Sequence, residues 1–450
     1  MKRILPLILL ALALPAAAST TAWTYTPPPS GKTQGTLSWT DSSGFENIVN
    51  GAVLSGGLIT IAQGTNRGTN DAGNENLKNL DLTVPVYAED GTTQYEFSPY
   101  ALGTASQGAR IFTGRYLTNV VLHATCKAVG KYAFSQCKAI VKVTLNDGLE
   151  EICQDAFYQN TALESVEPFL PDSVKTIGAT AFRECSSLSG TVVANGLETI
   201  GIRAFHSCSL LRGADFGASP LTTFSDYVFY NCPKLESVVL PNTLTVFGSS
   251  VFGNCTSLTN VTPLLPPRLT SLGGNDNSAF QNIPVYGDVV SPPTLASIPT
   301  RAFRTSNISS FTASKKGLKS IGQYAFFGTV NLTNVVLSAD LESIVSGWLD
   351  SSGTTGVKQH VWFRNLPATI PSSLWSGTKK QNITIHLPWS QRDAWRAWVA
   401  SGPSGHTFTF DGATKTLPDT INGVGTWSSG VVQNVTWWKD LDAPTLVVVK

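Results

Sequence analysis

Between residues 110 and 388 the apolar positions return at a spacing that neither a lone strand nor a lone helix explains. The stretches KYAFSQC, QDAFYQN, ATAFREC, IRAFHSC, DYVFYNC, SSVFGNC, NSAFQNI, TRAFRTS and QYAFFGT align on Phe134, Phe157, Phe182, Phe205, Phe229, Phe252, Phe280, Phe303 and Phe326. Successive phenylalanines are 23, 25, 23, 24, 23, 28, 23 and 23 residues apart. Two weaker copies extend the series, with Leu349 and Trp375 in the anchor position.

Around each anchor the same side-chain types recur. Five residues before it stands an apolar residue usually followed by glycine, as in Ile177-Gly178, Ile200-Gly201, Phe247-Gly248 and Ile321-Gly322. Such a glycine permits either a tight turn or a close approach between coils. Six residues after it stands a leucine that opens an L-x-x-V-x-L stretch: Leu235, Val238 and Leu240, or Leu332, Val335 and Leu337. The alternation predicts a short strand with one face inward. A unit this short cannot enclose its own apolar side chains, so each must cover the next.

The consensus L-x-x-V-x-L-P-x-x-(V/L)-x-x-I-G-x-x-A-F-x-x-C-x-x-L resembles the BspA-like leucine-rich repeat, over residues 110–388 and, through LKNLDL, a degenerate coil within 77–109. The resemblance implies a curved, non-enzymatic solenoid of bacterial surface and secreted proteins, used for binding proteins or cell surfaces, with no fixed ligand residues to transfer. The expected fold is a solenoid of about ten to twelve coils. A parallel β-sheet would line one face, short helical or irregular turns the other, and small β-rich caps would cover the ends.

Those ends lack the period. Residues 1–18 combine Lys2 and Arg3, an apolar run and Ala16 to Ala18, the layout of a secretory signal peptide. No cysteine follows the run to take a lipid, and no later apolar stretch is long enough to span a bilayer. Residues 19–109 read as a β-rich N-terminal cap. Residues 389–401 read as a capping helix, with Ser390 and Asp393 as a capping box and Trp395, Trp398 and Val399 on one face. Residues 402–450 read as a small β unit.

Charged residues are 14% of the chain and the net charge is +1, which disfavours nucleic acid as a partner. Five of seven cysteines (Cys137, Cys185, Cys208, Cys232 and Cys255) lie three residues after the anchor and therefore form a structural ladder. Zinc would need paired, short-spaced thiolates, so no metal is expected. Asn160, Ser306 and Thr329 fill the same position elsewhere, and the site looks like the Asn/Cys slot of leucine-rich repeats. Buried thiols are the favoured state; a bridge between Cys126 and Cys153 remains the alternative.

The five histidines share no repeat position, His206 reading as a surface turn residue, and no catalytic spacing or cofactor motif emerges. The oxygen-rich stretches from Asp71 and Gly273 read as solvated loops rather than calcium sites. Outward strand positions (Lys142, Thr144, Ser165, Glu167, Ser237, Val239, Asn260, Thr262, Asn334 and Val336) are the candidate partner-binding face. Eight of eleven tryptophans follow residue 350, and the adjacent Trp437 and Trp438 are candidate glycan-stacking residues. The expected function is non-enzymatic binding of an extracellular protein or cell-surface macromolecule by an exported protein, whether secreted, surface-held or periplasmic. Carbohydrate binding or hydrolysis by the C-terminal aromatics is the second reading.

Overall fold

A computed structural model describes residues 22–61, 77–104, 111–112, 116–273, 279–345, 347–349, 359–366, 383–400 and 435–438. The expected leader, the loop from Asp71, the insertion after Gly273, the Trp375 copy and residues 402–434 lie outside the described residues, as do the side chains of Trp398, Val399, Trp437 and Trp438.

The N-terminal segment forms a closed barrel. Strands β1 (Trp23–Thr26), β2 (Gly35–Thr40), β3 (Glu46–Ser55) and β4 (Leu58–Ile61) form an antiparallel meander. After β5 (Asn79–Asp81), strands β6 (Val86–Ala88) and β7 (Gln94–Phe97) complete the wall in the order β1-β2-β3-β4-β7-β6. Parallel pairing of β6 with β1 and of β7 with β4 closes it, so no edge is left. Alternate residues fill the interior, among them Trp23, Leu37, Val49, Ile59 and Val86.

Strand β5 leaves the barrel and pairs with Asn119–Val121 as the first rung of the solenoid. A polar knot holds the junction. Asn47 Oδ1 accepts the backbone N–H groups of Lys78 and Asn79 at 3.0 and 2.7 Å, and Asn79 Nδ2 donates to Asp41 Oδ2 at 2.7 Å. Burial alone would raise the Asp41 pKa; donors from Ser43, Asn79 and the Phe45 backbone outweigh it and hold the carboxyl well below the usual range. Trp23 Nε1 adds a bond to the Asp81 carbonyl at 2.7 Å.

Beyond this knot about ten coils stack in parallel. Their main ladder carries equivalent residues from coil to coil, Val143 pairing with Val120 on one side and Val166 on the other, with bulges at Gly190/Thr191 and Gly287/Asp288. It breaks twice, after Ser165–Glu167 and after Asn260–Thr262. In intact coils the residue following the strand donates to the next strand, as Leu145 N does to Glu167 O at 2.8 Å and Leu240 N to Thr262 O at 2.7 Å. Pro168 and Pro263 stand at that position where the ladder breaks, and proline has no N–H to give.

A second ladder of two-residue strands, including Glu151–Ile152, Thr176–Ile177 and Thr199–Ile200, runs through the apolar residue ahead of each glycine. The glycines are there for close approach: a Cβ on Gly201 would lie 2.3 Å from the Ala179 nitrogen, and one on Gly178 2.3 Å from that of Gln154.

The anchors themselves stack through the core. Ring centroids are 5.2 Å apart for Phe182 and Phe205 with 2° between planes, and 5.1 Å for Phe112 and Phe134 with 9°. Phe112 thus starts the column one coil earlier than the repeat alignment placed it. Even across the 28-residue gap, Phe252 and Phe280 stay 6.0 Å apart. Leu349 takes the anchor place in the copy after Phe326, whose N–H donates to the Trp348 carbonyl at 2.7 Å.

Residues two before and two after the anchor, such as Tyr132 and Gln136 or Thr180 and Glu184, have positive φ although most of them are not glycine; Gly328 and Gly347 are the glycines in the series. Alternating left- and right-handed residues turn every second N–H toward the next coil. Phe134 N accordingly donates to Ala156 O and Gln136 N to Tyr158 O, a third ladder that holds the strained turns in place.

Helix α1 (Arg392–Ala400) follows a 3-10 turn at Trp389–Gln391. Asp393 holds Arg392 at 2.9 Å, and Trp395 is buried edge-on against Phe363, centroids 5.4 Å apart. The sheet nevertheless continues past the helix: Val435–Trp438 pairs in parallel with Ile383–Pro388, adding a rung to the solenoid where the sequence suggested a separate unit.

Candidate interaction surface

In these strands a buried residue stands between two that are half-buried or exposed, so the predicted outward residues do lie on one face while Val143, Val166, Val238, Val261 and Val335 point into the core. Register brings the candidates together in three groups, separated by the two proline breaks. In the first, Lys142 pairs with Ser165 and Thr144 with Glu167, and the Lys142 ammonium reaches the Glu167 carboxylate at 2.5 Å. In the second, Ser237 neighbours Asn260 and Val239 neighbours Thr262, with Thr262 Oγ1 donating to Asn260 Oδ1 at 2.9 Å.

The third group is larger than the sequence reading made it. Asn334 and Val336 sit beside His360 and Trp362 on one side and Ser310 and Thr312 on the other. Strand Tyr286–Ser291 extends the same rows to Asp288 and Val290. Strand Tyr286–Ser291 keeps the usual offset, the buried Val289 lying nine residues after Phe280 as Val238 does after Phe229, so the alternation in VYGDVV was the available signal for its outward residues.

At its far end His386 lies flat against Trp362, centroids 3.5 Å apart and planes 9° apart, and shares a hydrogen bond with His360 Nδ1 at 2.9 Å. Burial, with the neighbouring His360 charge adding to it, pushes the His386 pKa down to about 3, so the ring is neutral at ordinary pH. His206 stacks on Tyr230 on the turn side, 5.2 Å away and half-buried rather than on the open surface; burial and then Arg183 and Arg203 lower its pKa.

The cysteines are free and buried. In the ladder each thiol donates to the anchor carbonyl of the preceding coil: Cys185 to Phe157, Cys208 to Phe182, Cys232 to Phe205 and Cys255 to Phe229, at 3.0–3.2 Å. Cys126 and Cys153 are unbridged, and burial pushes the Cys126 thiol up to about 12. A thiol so held is a poor nucleophile and a poor metal ligand. No cluster of three or more His, Cys, Asp or Glu suited to a metal ion occurs among the described residues.

The sequence that builds this repeated strand, glycine contact and stacked phenylalanine matches the BspA type leucine-rich repeat region, in six copies over residues 106–232 and 222–355. The chain belongs to that family. As a BspA-type protein it is built on a repeat that generally serves as a non-enzymatic scaffold. Among solved structures it is similar to a leucine-rich repeat protein from Bacteroides ovatus, with 19% identity over 83% of this chain and 94% of the other, TM-score 0.43. A leucine-rich cell surface protein from Faecalibacterium prausnitzii gives 18% identity over 80% and 97%, TM-score 0.32. A leucine-rich repeat protein of T. pallidum gives 20% over 52% and 91%, TM-score 0.30. No curated protein matches the chain. No helix among the described residues is long and apolar enough to cross a membrane.

Proposed function

We propose that this BspA-type protein is an exported, non-enzymatic scaffold that binds a protein partner through the outward face of its main sheet. The observation that carries the reading is the register of the outward side chains, which sets short polar and β-branched residues in rows at a strand spacing of about 4.8 Å. Residues such as Thr144, Ser237, Val239, Asn260 and Thr262 lose little rotamer entropy when covered, and repetition across coils supplies area. Residues 1–18 would act as the export leader, and a secreted, surface or periplasmic location follows from it. Surface display is also how the Faecalibacterium neighbour is described.

The test is capture of extracellular proteins on the immobilised full chain, compared with Val239→Arg and Thr262→Arg. Both positions are exposed, so the variants keep the fold while placing bulk in the middle of the face. A specific partner whose retention falls at least about tenfold with either variant supports the reading. Retention unchanged by both moves binding off this face.

A further inference from the structure

The third outward group differs from the other two in chemistry. Its strands, Tyr286–Ser291, Asn307–Ala313, Asn334–Val336, Gln359–Trp362, Ile383–Pro388 and Val435–Trp438, contain no Lys, Arg or Glu. Asp288 is their one carboxylate, and its Oδ1 already accepts hydrogen bonds from Ser309 at 2.8 Å and Ser310 at 2.6 Å. Two rows cross the strands. One is polar: Asp288, Ser310, Asn334 and His360. The other is apolar: Val290, Thr312, Val336 and Trp362, with Val290 62% exposed.

The apolar row has a floor and a wall. Val290, Thr312 and Val336 are short, while the half-buried indole of Trp362 stands beside Val336 and is backed by the His386 ring. His386 is itself tied to His360, so the wall is held before any ligand arrives. A rigid aromatic bordering a shallow apolar floor, with amide, hydroxyl and imidazole groups about 7 Å to one side, suits a ligand with an apolar face and a rim of hydroxyls.

The aromatic wall favours a glycan here. Four strands at about 4.8 Å by two rows about 7 Å apart make a floor of roughly 130 Å² bordered by one flat indole, a shape that suits a sugar ring laid against Trp362. Charge decides between classes of glycan, since nothing in these rows would neutralise sulfate or uronate. We propose that the outward face from Val290 to Trp362 is a binding site for a neutral glycan, with Trp362 stacking on a sugar ring and Asn334, His360 and Asp288 taking its hydroxyls. The site is independent of the protein-binding face around Val239, so either can fail alone.

Affinity electrophoresis of the full chain through gels holding galactomannan, xylan or hydroxyethylcellulose tests it, with heparin and polygalacturonate as anionic comparators. The expected result is retardation by at least one neutral polymer and by neither anionic one. Trp362→Ala and Val290→Arg should each weaken it at least about tenfold. Val290 is exposed, so its variant remains informative if loss of Trp362 disturbs the fold, and Val239→Arg should bind as the parent does. The proposal is overturned if no neutral polymer retards the protein, if the anionic polymers retard it as well, or if retardation survives Val290→Arg.

Discussion

The barrel of residues 23–97 disposes of its sheet edges by joining β6 to β1, whereas the solenoid leaves both ends of its ladders to be covered by something else. In the barrel, residues far apart in sequence close one interior, so any wall strand supports all the others. In the solenoid a coil touches only its two neighbours, and stability becomes a sum of like interfaces. The knot of Asp41, Asn47 and Asn79 joins the two regimes: a structure without edges seals the first coil, and α1 with the strand Val435–Trp438 occupies the other end. Cooperativity should therefore be global in the barrel and graded along the stack.

Removing a ring from the middle of the column tests this most severely. Phe205 is fully buried between Phe182 and Phe229, 5.2 and 5.5 Å away, and its N–H donates to the Val228 carbonyl of the next coil at 2.9 Å. Phe205→Ala is expected to cost about 3–5 kcal/mol. Hydrogen exchange should show protection falling in the coils on either side of residue 205 while β1 to β4 keep theirs. A uniform fall across the barrel and all coils would mean that the two regions fold as one unit.

Cutting the knot is the next largest change. Asp41 accepts bonds from Ser43, Asn79 and the Phe45 N–H, and charge-assisted bonds of this kind contribute about 1.5–3 kcal/mol. Asp41→Ala should cost about 2 kcal/mol, read as a lower melting temperature, and should uncouple the two regions so that limited proteolysis cuts near residues 78–85. Because the folded carboxyl is held below its unfolded range, its contribution is complete above about pH 4 and is lost as pH falls through the folded value. The parent and Asp41→Ala should therefore converge only in strong acid.

The sheet's far end titrates differently. His386 has a folded pKa of about 3 against 6.5 for the free side chain, so the unfolded chain binds the proton first and stability is lost as pH falls from about 6.5 toward 3. Thermal melts between pH 7 and pH 5 should show a loss of about 1–2 kcal/mol that is smaller in His386→Phe. His123 and His206 shift in the same direction and leave a residual slope. An unchanged slope in the variant would mean that His386 is not the group responsible.

The two regions were unequally legible in the sequence. The solenoid announced itself because one interface is repeated, so Phe134 to Phe326, their leucines and their glycines recur in step. Phe112 escaped because its surroundings miss several cues at once, with Ile111 before it, Arg115 three residues after it and Thr118 rather than leucine six after it, and the second ladder because two residues are too few to show alternation. Pro168 and Pro263 were visible, but their meaning depends on knowing that Leu145 and Leu240 donate from the same position. Barrel closure rests on β1 with β6 and β4 with β7, pairings between distant segments that no local pattern encodes. The row from Asp288 to Trp362 needs the register itself, since the contact of Trp362 with His386 joins two coils.

The smallest effect tests how tolerant the repeated slot is compared with the stacked ring beside it. Cys208 donates to the Phe182 carbonyl of the preceding coil at 3.2 Å, whereas Ser306 and Thr329, in equivalent places, turn back to the carbonyls of Phe303 and Phe326 in their own coil at 2.9 and 2.6 Å. The slot thus offers two acceptors to a small donor, although Ile283 fills it after Phe280 without donating. Cys208→Ser keeps a donor, exchanges a polarisable sulfur for a shorter hydroxyl and leaves a small gap, so it should cost about 1 kcal/mol or less. Cys208→Val, with no donor and a branched Cβ, should cost more, through loss of the second bond to the Phe182 carbonyl, which keeps the Cys185 N–H, and through crowding. Chemical denaturation of both variants measures the difference. If serine proved as damaging as valine, hydrogen bonding would not be what the slot selects.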